Sequence, residues 1–508
     1  MFHNHDSILV HEYAALGAPF VTPVPTTPFK TAVQMLHVNA ELAESLGLRV
    51  EALCSPGGVS VLSGNSPWPE YASIASVYCG HQFGVFVPQL GDGRALMIAE
   101  VRKGSQYRQL QLKGAGPTPY SRHADGRAVL RSSIREYVAS EAMHALGIPT
   151  TRALSLTACS DPVFRETTET AAVVCRVSES FLRFGHVEYF AHTGQLDALR
   201  QLLTWHIEQH HPEIELGDSE PEFEHGLLLW FNTVVLRTAK LMADWQSVGF
   251  CHGVMNTDNM SLLGMTIDYG PYGFVDDFHI DHICNHSDEG GRYSYRNQPR
   301  LGHWNLYALA QALLTLLRGH KEQVQTMLDE YAEVFAAEHT QRFAAKMGLP
   351  SHTGEDVVTM VENTLKLMHA HQLDFTRFFR SLAHLDPHAS PADNFSLWQH
   401  SPYFAIALGD EAQVNDAQTW LNEWHAMASN CQQSTVIWQQ ERRALNPAVV
   451  ARNHLLQAAI EQAQQGDAAE LNRLCSALSD PYNDENLPAH YTASPPQWAK
   501  ALVLSCSS

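Results

Sequence analysis

Lys113, Glu136, Asn259 and Asp268 are of the types, and in the order, that a chain uses to hold a nucleoside triphosphate. Lys113 ends the alternating run 107–113, and Glu136 lies within a helical pattern that follows it. A strand lysine steadied by a helix carboxylate keeps a cation aimed at phosphates. Downstream, 252-HGVMNTDN-259 supplies Asn259 and 268-DYG-270 supplies Asp268. An amide oxygen and a carboxylate a short loop apart can meet one magnesium ion. Upstream, 89-QLGDGRA-95 is a glycine-rich turn leading into a strand, where Gly91 and Gly93 let backbone N–H groups approach phosphate closely. Singly, each signal has a plainer reading as a β-turn or a surface ion pair. Together and in this order they predict a nucleotide site.

One departure is informative. In small-molecule phosphotransferases the loop reads HGDxxxxN, and its Asp is the catalytic base. Here it reads His252-Gly253-Val254, and valine cannot accept a proton. The nearest carboxylate is Asp258, directly before Asn259. Either the site is inert, or its base works from a different place on a differently placed phosphate.

The elements that must position these residues follow from periodicity. Residues 94–101 and 107–113 read as strands, and 125–146 as a helix with Leu130, Ile134, Val138 and Ala142 on one face, stopped by Gly147 and Pro149. Further strands are predicted near 151–157 and 171–177, and a short one over 265–267. Residues 1–60 read as Pro-rich turns and then a helical run through Leu42 and Leu46. Helical spacing dominates afterwards, over 223–248, over 304–317 and in several amphipathic segments within 320–480. The expected class is α+β: a small β-rich N-lobe with one helix, then a large, mainly α C-lobe, in a protein-kinase-like bilobal arrangement with a C-terminal helical extension. The expected division is 1–60 as an N-terminal extension packing on the lobes, 61–190 as the N-lobe, 191–320 as the C-lobe with catalytic loop and DYG, and 321–508 as the helical extension and SCSS tail.

Composition narrows the partners. The formal net charge is −21, which repels phosphate backbones and anionic lipid, and no Lys/Arg run offsets it. Nucleic-acid and membrane binding are therefore not expected. The first thirty residues hold no apolar h-region, and no apolar stretch approaches the about eighteen residues a bilayer needs. Nine cysteines without CxxC pairs suit a reducing cytoplasm.

The segments 79-CGHQFG-84, 89-QLGDGRA-95, 111-QLKGAGPTPYSR-122, 125-DGRAVLRSSIREY-137, 252-HGVMNTDNM-260, 267-IDYGPYGF-274 and 283-ICNHSDEGGRYSYRNQP-299, with the closing SCSS, resemble the selenoprotein O family, called YdiU in bacteria. The resemblance covers essentially the whole chain. It implies a pseudokinase-like fold in which ATP lies flipped, so that AMP rather than phosphate is transferred to Ser, Thr or Tyr hydroxyls of proteins. Uridylylation with UTP and manganese is also ascribed to bacterial members. By residue, it implies that Gly91, Gly93 and Arg94 form the nucleotide-binding turn, Lys113 and Glu136 the ion pair, and Asp125 and Gly126 a nucleotide contact. Arg176 and Arg183 correspond to a nucleotide-binding arginine pair, Asp258 to the proton acceptor, and Asn259 and Asp268 to the Mg²⁺ (or Mn²⁺) ligands. Guanidinium forks suit phosphate oxygens; the plainer alternative is that both arginines snorkel to the surface or pair with Glu179 and Glu188.

Two rival functions stay open on sequence: a kinase transferring the γ-phosphate, and a silent nucleotide-binding scaffold. Val254 and the arginine pair Arg176 and Arg183 speak against the first, and the intact Lys113, Asp258, Asn259 and Asp268 against the second. His279, His282, Cys284 and His286 form an HxxHxCxH cluster too tight for a standard zinc finger. Cys506 in the tail is a candidate redox partner for Cys284.

Overall fold

The computed structural model describes residues 2–349 and 352–505. Its first part is built on a nine-stranded antiparallel sheet. Ala95–Lys103 pairs with Gln106–Lys113, which pairs with Thr168–Ser178, which pairs with Arg152–Phe164. These central strands are apolar on both faces because both faces are covered. Leu96, Ile98, Leu110, Leu112 and Val173 pack into one core with Leu53 and Val61. Met97, Leu156 and Val174 pack into another with Ile134, Tyr137 and Val138 of the helix Leu130–Ala145.

Residues read as irregular near the N-terminus contribute strands. Ser7–Val10 pairs with Ala95–Lys103, Val21–Pro23 with Ile74–Ser76, and Gln34–Val38 with Arg152–Phe164. Each is three to five residues long, too short to show a period.

The helix predicted from Asp125 begins at Leu130. Ala128–Val129 is instead a strand, paired with Ala171–Ala172. The turn before it is fixed by Asp125, whose Oδ1 accepts from the Arg127 N–H (2.9 Å). It is also fixed by Gly126 at φ +64°, where a Cβ would fall 2.1 Å from the Gly116 carbonyl oxygen. Pairing with a distant strand thus takes the residues that would have formed the first turn. The short strand expected over 265–267 is likewise absent. Thr266 makes a single bridge with Thr150, and the local two-stranded pairing is Phe250–Cys251 with Gly273–Phe274.

The larger second part is helical. Its longest helix, Glu220–Ser247, starts from a capping box: Ser219 and Glu222 satisfy each other's backbone N–H groups. Its buried stripe (Leu227, Phe231, Val234, Leu241, Trp245) joins the core that also covers the sheet. The helix predicted over 304–317 runs from Gln298 to Leu313. Beyond it, helices from Lys321–Lys346 to Thr435–Leu445 enclose a separate aromatic core of Phe343, Phe378, Trp398, Trp420, Trp424 and Trp438, while Asn453–Gln464 and Ala469–Ser479 pack into the core that covers the sheet. The α+β class is as expected from sequence, with a β-rich N-terminal sheet and a larger helical part, an arrangement consistent with a kinase-like bilobal fold. Among the described residues no helix is long and apolar enough to cross a membrane.

Candidate functional site

Sheet register sets the first part of the site. Lys113 lies opposite Val174, and Arg176 opposite Gln111, so Lys113 and Arg176 share one face of the sheet on adjacent strands. Glu136 approaches that face from the helix Leu130–Ala145. Lys113 Nζ sits 2.7 Å from Glu136 Oε2 and 2.9 Å from Asp268 Oδ1. Arg176 Nη1 donates to Glu136 Oε1 (3.1 Å) and also to Asp268 Oδ1. Arg183, just before the helix Phe184–His192, donates to Asp268 Oδ2 (2.5 Å) and to the Asp258 carbonyl (2.8 Å).

Three cations therefore meet one carboxylate. Burial opposes the charge of Asp268, but Lys113, Arg183 and Arg176 outweigh it and hold the group well below the usual carboxylate range. In return, although burial disfavours their charge, both arginines are held more basic than usual by Asp268. Arg176 and Arg183 are 1% and 2% exposed. They do not reach the surface, and the carboxylates at Glu179 and Glu188 are engaged elsewhere, by Arg108 and His81.

The second part lies in the segment between Phe250–Cys251 and Gly273–Phe274. His252 stacks on Trp245 (ring centroids 5.2 Å apart) and bonds the Ile267 carbonyl (2.9 Å). Asn305 Nδ2 donates to the Met255 carbonyl (3.0 Å), and Asn256 Oδ1 accepts from Tyr293 Oη (2.6 Å). The turn Thr257–Asn259 is held from all sides, so Asp258 and Asn259 have fixed positions. Gln82 Nε2 donates to Asp258 Oδ2 (3.3 Å), while Asp258 Oδ1 is buried without a hydrogen-bond partner among the described residues. Burial pushes the Asp258 carboxyl up to about 6. Gly80 is required beneath it, since a Cβ there would stand 2.5 Å from Asp258 Oδ1.

The glycine-rich turn forms the opposite wall. Asp92 clamps it to the neighbouring strand: Asp92 N donates to the Ser76 carbonyl (2.9 Å), and Ser76 N donates to Asp92 Oδ2 (2.9 Å). Gly91 at φ +143° has Tyr120 and the Ser76 carbonyl where a side chain would go.

A cleft of about 740 Å³ joins these parts. Gly91, Gly93, Arg94, Lys113, Asp125, Gly126, Arg176, Arg183, Asp258, Asn259 and Asp268 all line it; Glu136 stands behind Lys113. Sequence reasoning missed Gln82 and Asp92 as members, and Asn256 and Tyr293 as supports. Asp92 was legible inside the LGDG turn. Gln82 carried no signal of its own, because its partner lies far away in the chain.

Along this chain, the family model described as protein adenylyltransferase SelO matches residues 7–479. The chain belongs to the SelO family. A protein nucleotidyltransferase YdiU of Methylococcus capsulatus is 47% identical over 502 residues, covering 98% of this chain and 95% of the relative. Its counterpart in Bordetella parapertussis is 46% identical over 500 residues, covering 98% of each. That of Paraburkholderia xenovorans is 45% identical over 513 residues, covering 98% of this chain and 95% of the relative. This SelO-family enzyme is a nucleotidyltransferase, and its class of reaction draws on a nucleoside triphosphate and a divalent metal.

Asn259 and Asp268 offer an amide and a carboxylate oxygen, the donor type a hard divalent cation takes, while both Asp268 oxygens here already accept from Lys113, Arg176 and Arg183. Asn259 Nδ2 donates to the Val254 carbonyl (3.0 Å), which fixes the amide with its oxygen as the remaining acceptor. Two members of the HxxHxCxH segment are otherwise engaged: the His279 ring packs on His369 at 4.6 Å, and Cys284 Sγ donates to the Cys251 carbonyl (3.3 Å). Among the described residues no group of three or more His, Cys, Asp or Glu is arranged to hold a metal ion. Cys506 lies outside the described residues.

Proposed function

We propose that the enzyme transfers AMP from ATP to Ser, Thr or Tyr hydroxyls of cytoplasmic proteins, releasing pyrophosphate. The observation that carries this reading is the set of buried cations around Asp268: Arg176 and Arg183 join Lys113 there, more positive charge than a strand lysine alone would bring to phosphates. A triphosphate entering there meets Lys113, Arg176 and Arg183, whose forks match phosphate oxygens. Its α-phosphate is then the one left facing Asp258.

In this reading the glycine turn (Gly91, Gly93, Arg94) and the Asp125–Gly126 turn line the path of the nucleotide. The acceptor hydroxyl attacks the α-phosphorus, its new O–P bond forming as the bond to the β-phosphate oxygen breaks. Asp258 takes the hydroxyl proton; a carboxyl near pH 6 is basic enough to accept it and mostly ionised at neutrality. Lys113, Arg176 and Arg183 hold the departing pyrophosphate in line, so positioning supplies much of the rate. Glu136 keeps Lys113 and Arg176 in place. Asn259 and Asp268 would hold Mg²⁺ or Mn²⁺, which supplies charge neutralisation at the phosphates when bound. UTP in place of ATP calls for the same chemistry.

The test uses ATP labelled at either the α- or the γ-phosphate, with α-labelled UTP in parallel. Label on protein from the α-position alone is expected. Label from the γ-position would make the enzyme a kinase, and no label with either, across a proteome extract, would make it a scaffold.

A further inference from the structure

The hairpin of Gly80–Gln82 and Val85–Val87 keeps different company on its two faces, because side chains alternate along a strand. Gln82 lines the catalytic cleft. His81, opposite Phe86 across the hairpin, lines a second groove of about 500 Å³, bounded by the helices Phe184–His192 and Gln298–Leu313. Its walls are largely apolar and aromatic: Phe86, Trp304 and Tyr307. Among the described residues no lysine or arginine lines it, and one carboxylate does. That carboxylate is Glu188, 5% exposed. Its Oε1 lies 2.7 Å from His81 Nδ1, while Oε2 is buried and has no hydrogen-bond partner among the described residues.

A buried carboxylate oxygen lacking a donor is costly, and because Glu188 lines the groove, a small turn of its side chain toward a donor delivered there relieves the cost. Aromatic walls around a carboxylate complement a guanidinium, a planar cation that stacks on rings while donating to oxygens. Trp304 already takes one such group: Arg292, outside the groove lining, sits 5.0 Å from its ring centroid.

We infer that this groove binds an arginine side chain of the acceptor protein, a few residues from the hydroxyl that receives the nucleotide. The inference rests on the reading of the site as one that modifies proteins. The helix Phe184–His192 gives the spacing. Gly185 lies against Asp258, a Cβ there coming within 3.6 Å of the Asp258 Cα; Glu188 is about one turn further and His192 about two. At about 1.5 Å per residue the groove lies roughly 5–10 Å along this helix from Gly185 beside Asp258, which an extended segment covers in about two to three residues. The net charge of −21 favours approach of a basic segment. An acidic or purely apolar segment would leave Glu188 Oε2 without its donor.

Fluorescein-labelled peptides with one serine, and with arginine, leucine or glutamate at each position one to six residues to either side, test the inference. Their binding to the full chain is read by anisotropy, and their modification separately with α-labelled ATP. An arginine at one offset of about two to three residues should bind about tenfold more tightly than leucine there. Glu188→Gln should reduce that preference to less than about twofold, and so should Ala308→Trp, which fills the groove with Glu188 in place. Equal binding of all three peptide sets, or an arginine preference that survives both variants, overturns the groove. An arginine preference in binding with no α-label transferred keeps the groove and removes protein modification. Label transferred without any preference does the reverse.

Discussion

Two buried arginine clusters in this molecule use the same chemistry in opposite proportions. In the helical part, Arg452 meets two carboxylates: Nη1 lies 2.6 Å from Asp276 Oδ1 and 2.8 Å from Asp374 Oδ2, and Nη2 lies 2.8 Å from Asp374 Oδ1. In the cleft, three cations, Lys113, Arg176 and Arg183, meet two carboxylates, Asp268 and Glu136. The first cluster ties Asp276, Asp374 at the start of the helix Phe375–Ser381, and Arg452 before Asn453–Gln464 into one joint. Burial pushes the Asp276 carboxyl up to about 6 despite Arg452, so that cluster has no positive charge to spare. The second has a surplus and opens on a cleft. A buried ion network is thus a joint when its carboxylates outnumber its cations, and an anion receptor when the balance is reversed and the side is open.

The sharpest way to break this contrast is at the base that serves the receptor. Asp258→Asn should lower transfer by about 10²–10⁴-fold and leave ATP binding intact, as measured by calorimetry beside an α-label assay. Retained transfer would remove Asp258 from the mechanism. Arg452→Met comes next. It leaves two carboxylates without their cation and should cost about 3–5 kcal/mol of stability, read by urea denaturation, while the folded fraction binds ATP normally. Arg183→Met should do the opposite. Loss of a charged hydrogen-bond donor of about 1.5–3 kcal/mol should weaken ATP binding about ten- to a hundredfold, at a smaller stability cost than Arg452→Met, because Lys113 and Arg176 still cover Asp268. If the two variants have interchangeable effects, the distinction between joint and receptor fails.

The pH dependence is a gentler probe. Asp258 is protonated below about 6 and ionised above it, so the rate should rise with pH through that value and then level off. In Asp258→Asn the step should vanish from the residual rate. The smallest effect belongs to the half-exposed Arg165–Asp125 pair (2.9 Å) at the cleft's edge. Arg165→Ala should cost no more than about 1 kcal/mol of stability, and a larger loss by thermal melting would make it part of the frame.

What was legible from sequence about the cleft came from local patterns. Lys113 ends a run with strand alternation, Glu136 sits on an apolar-faced helix, and Asn259 and Asp268 flank one short loop. The glycine turn was readable because Gly91 adopts a backbone angle that side chains resist. Misread boundaries have a common cause: Asp125–Val129 and the N-terminal strands take their conformation from pairing with residues far along the chain, which leaves no period in the local sequence.

By itself, then, the sequence determined the α+β class, the order of strand lysine, helix glutamate and loop ligands, and the family to which those motifs belong. Tertiary structure decided that Arg176 and Arg183 turn inward onto Asp268 rather than outward to solvent, and that Gln82 and Gly80 lie against Asp258. Charge balance at a point in space depends on which distant segments share it, and side-chain types along a chain carry no record of that. Sheet register and the packing of the helix Phe184–His192 supply it.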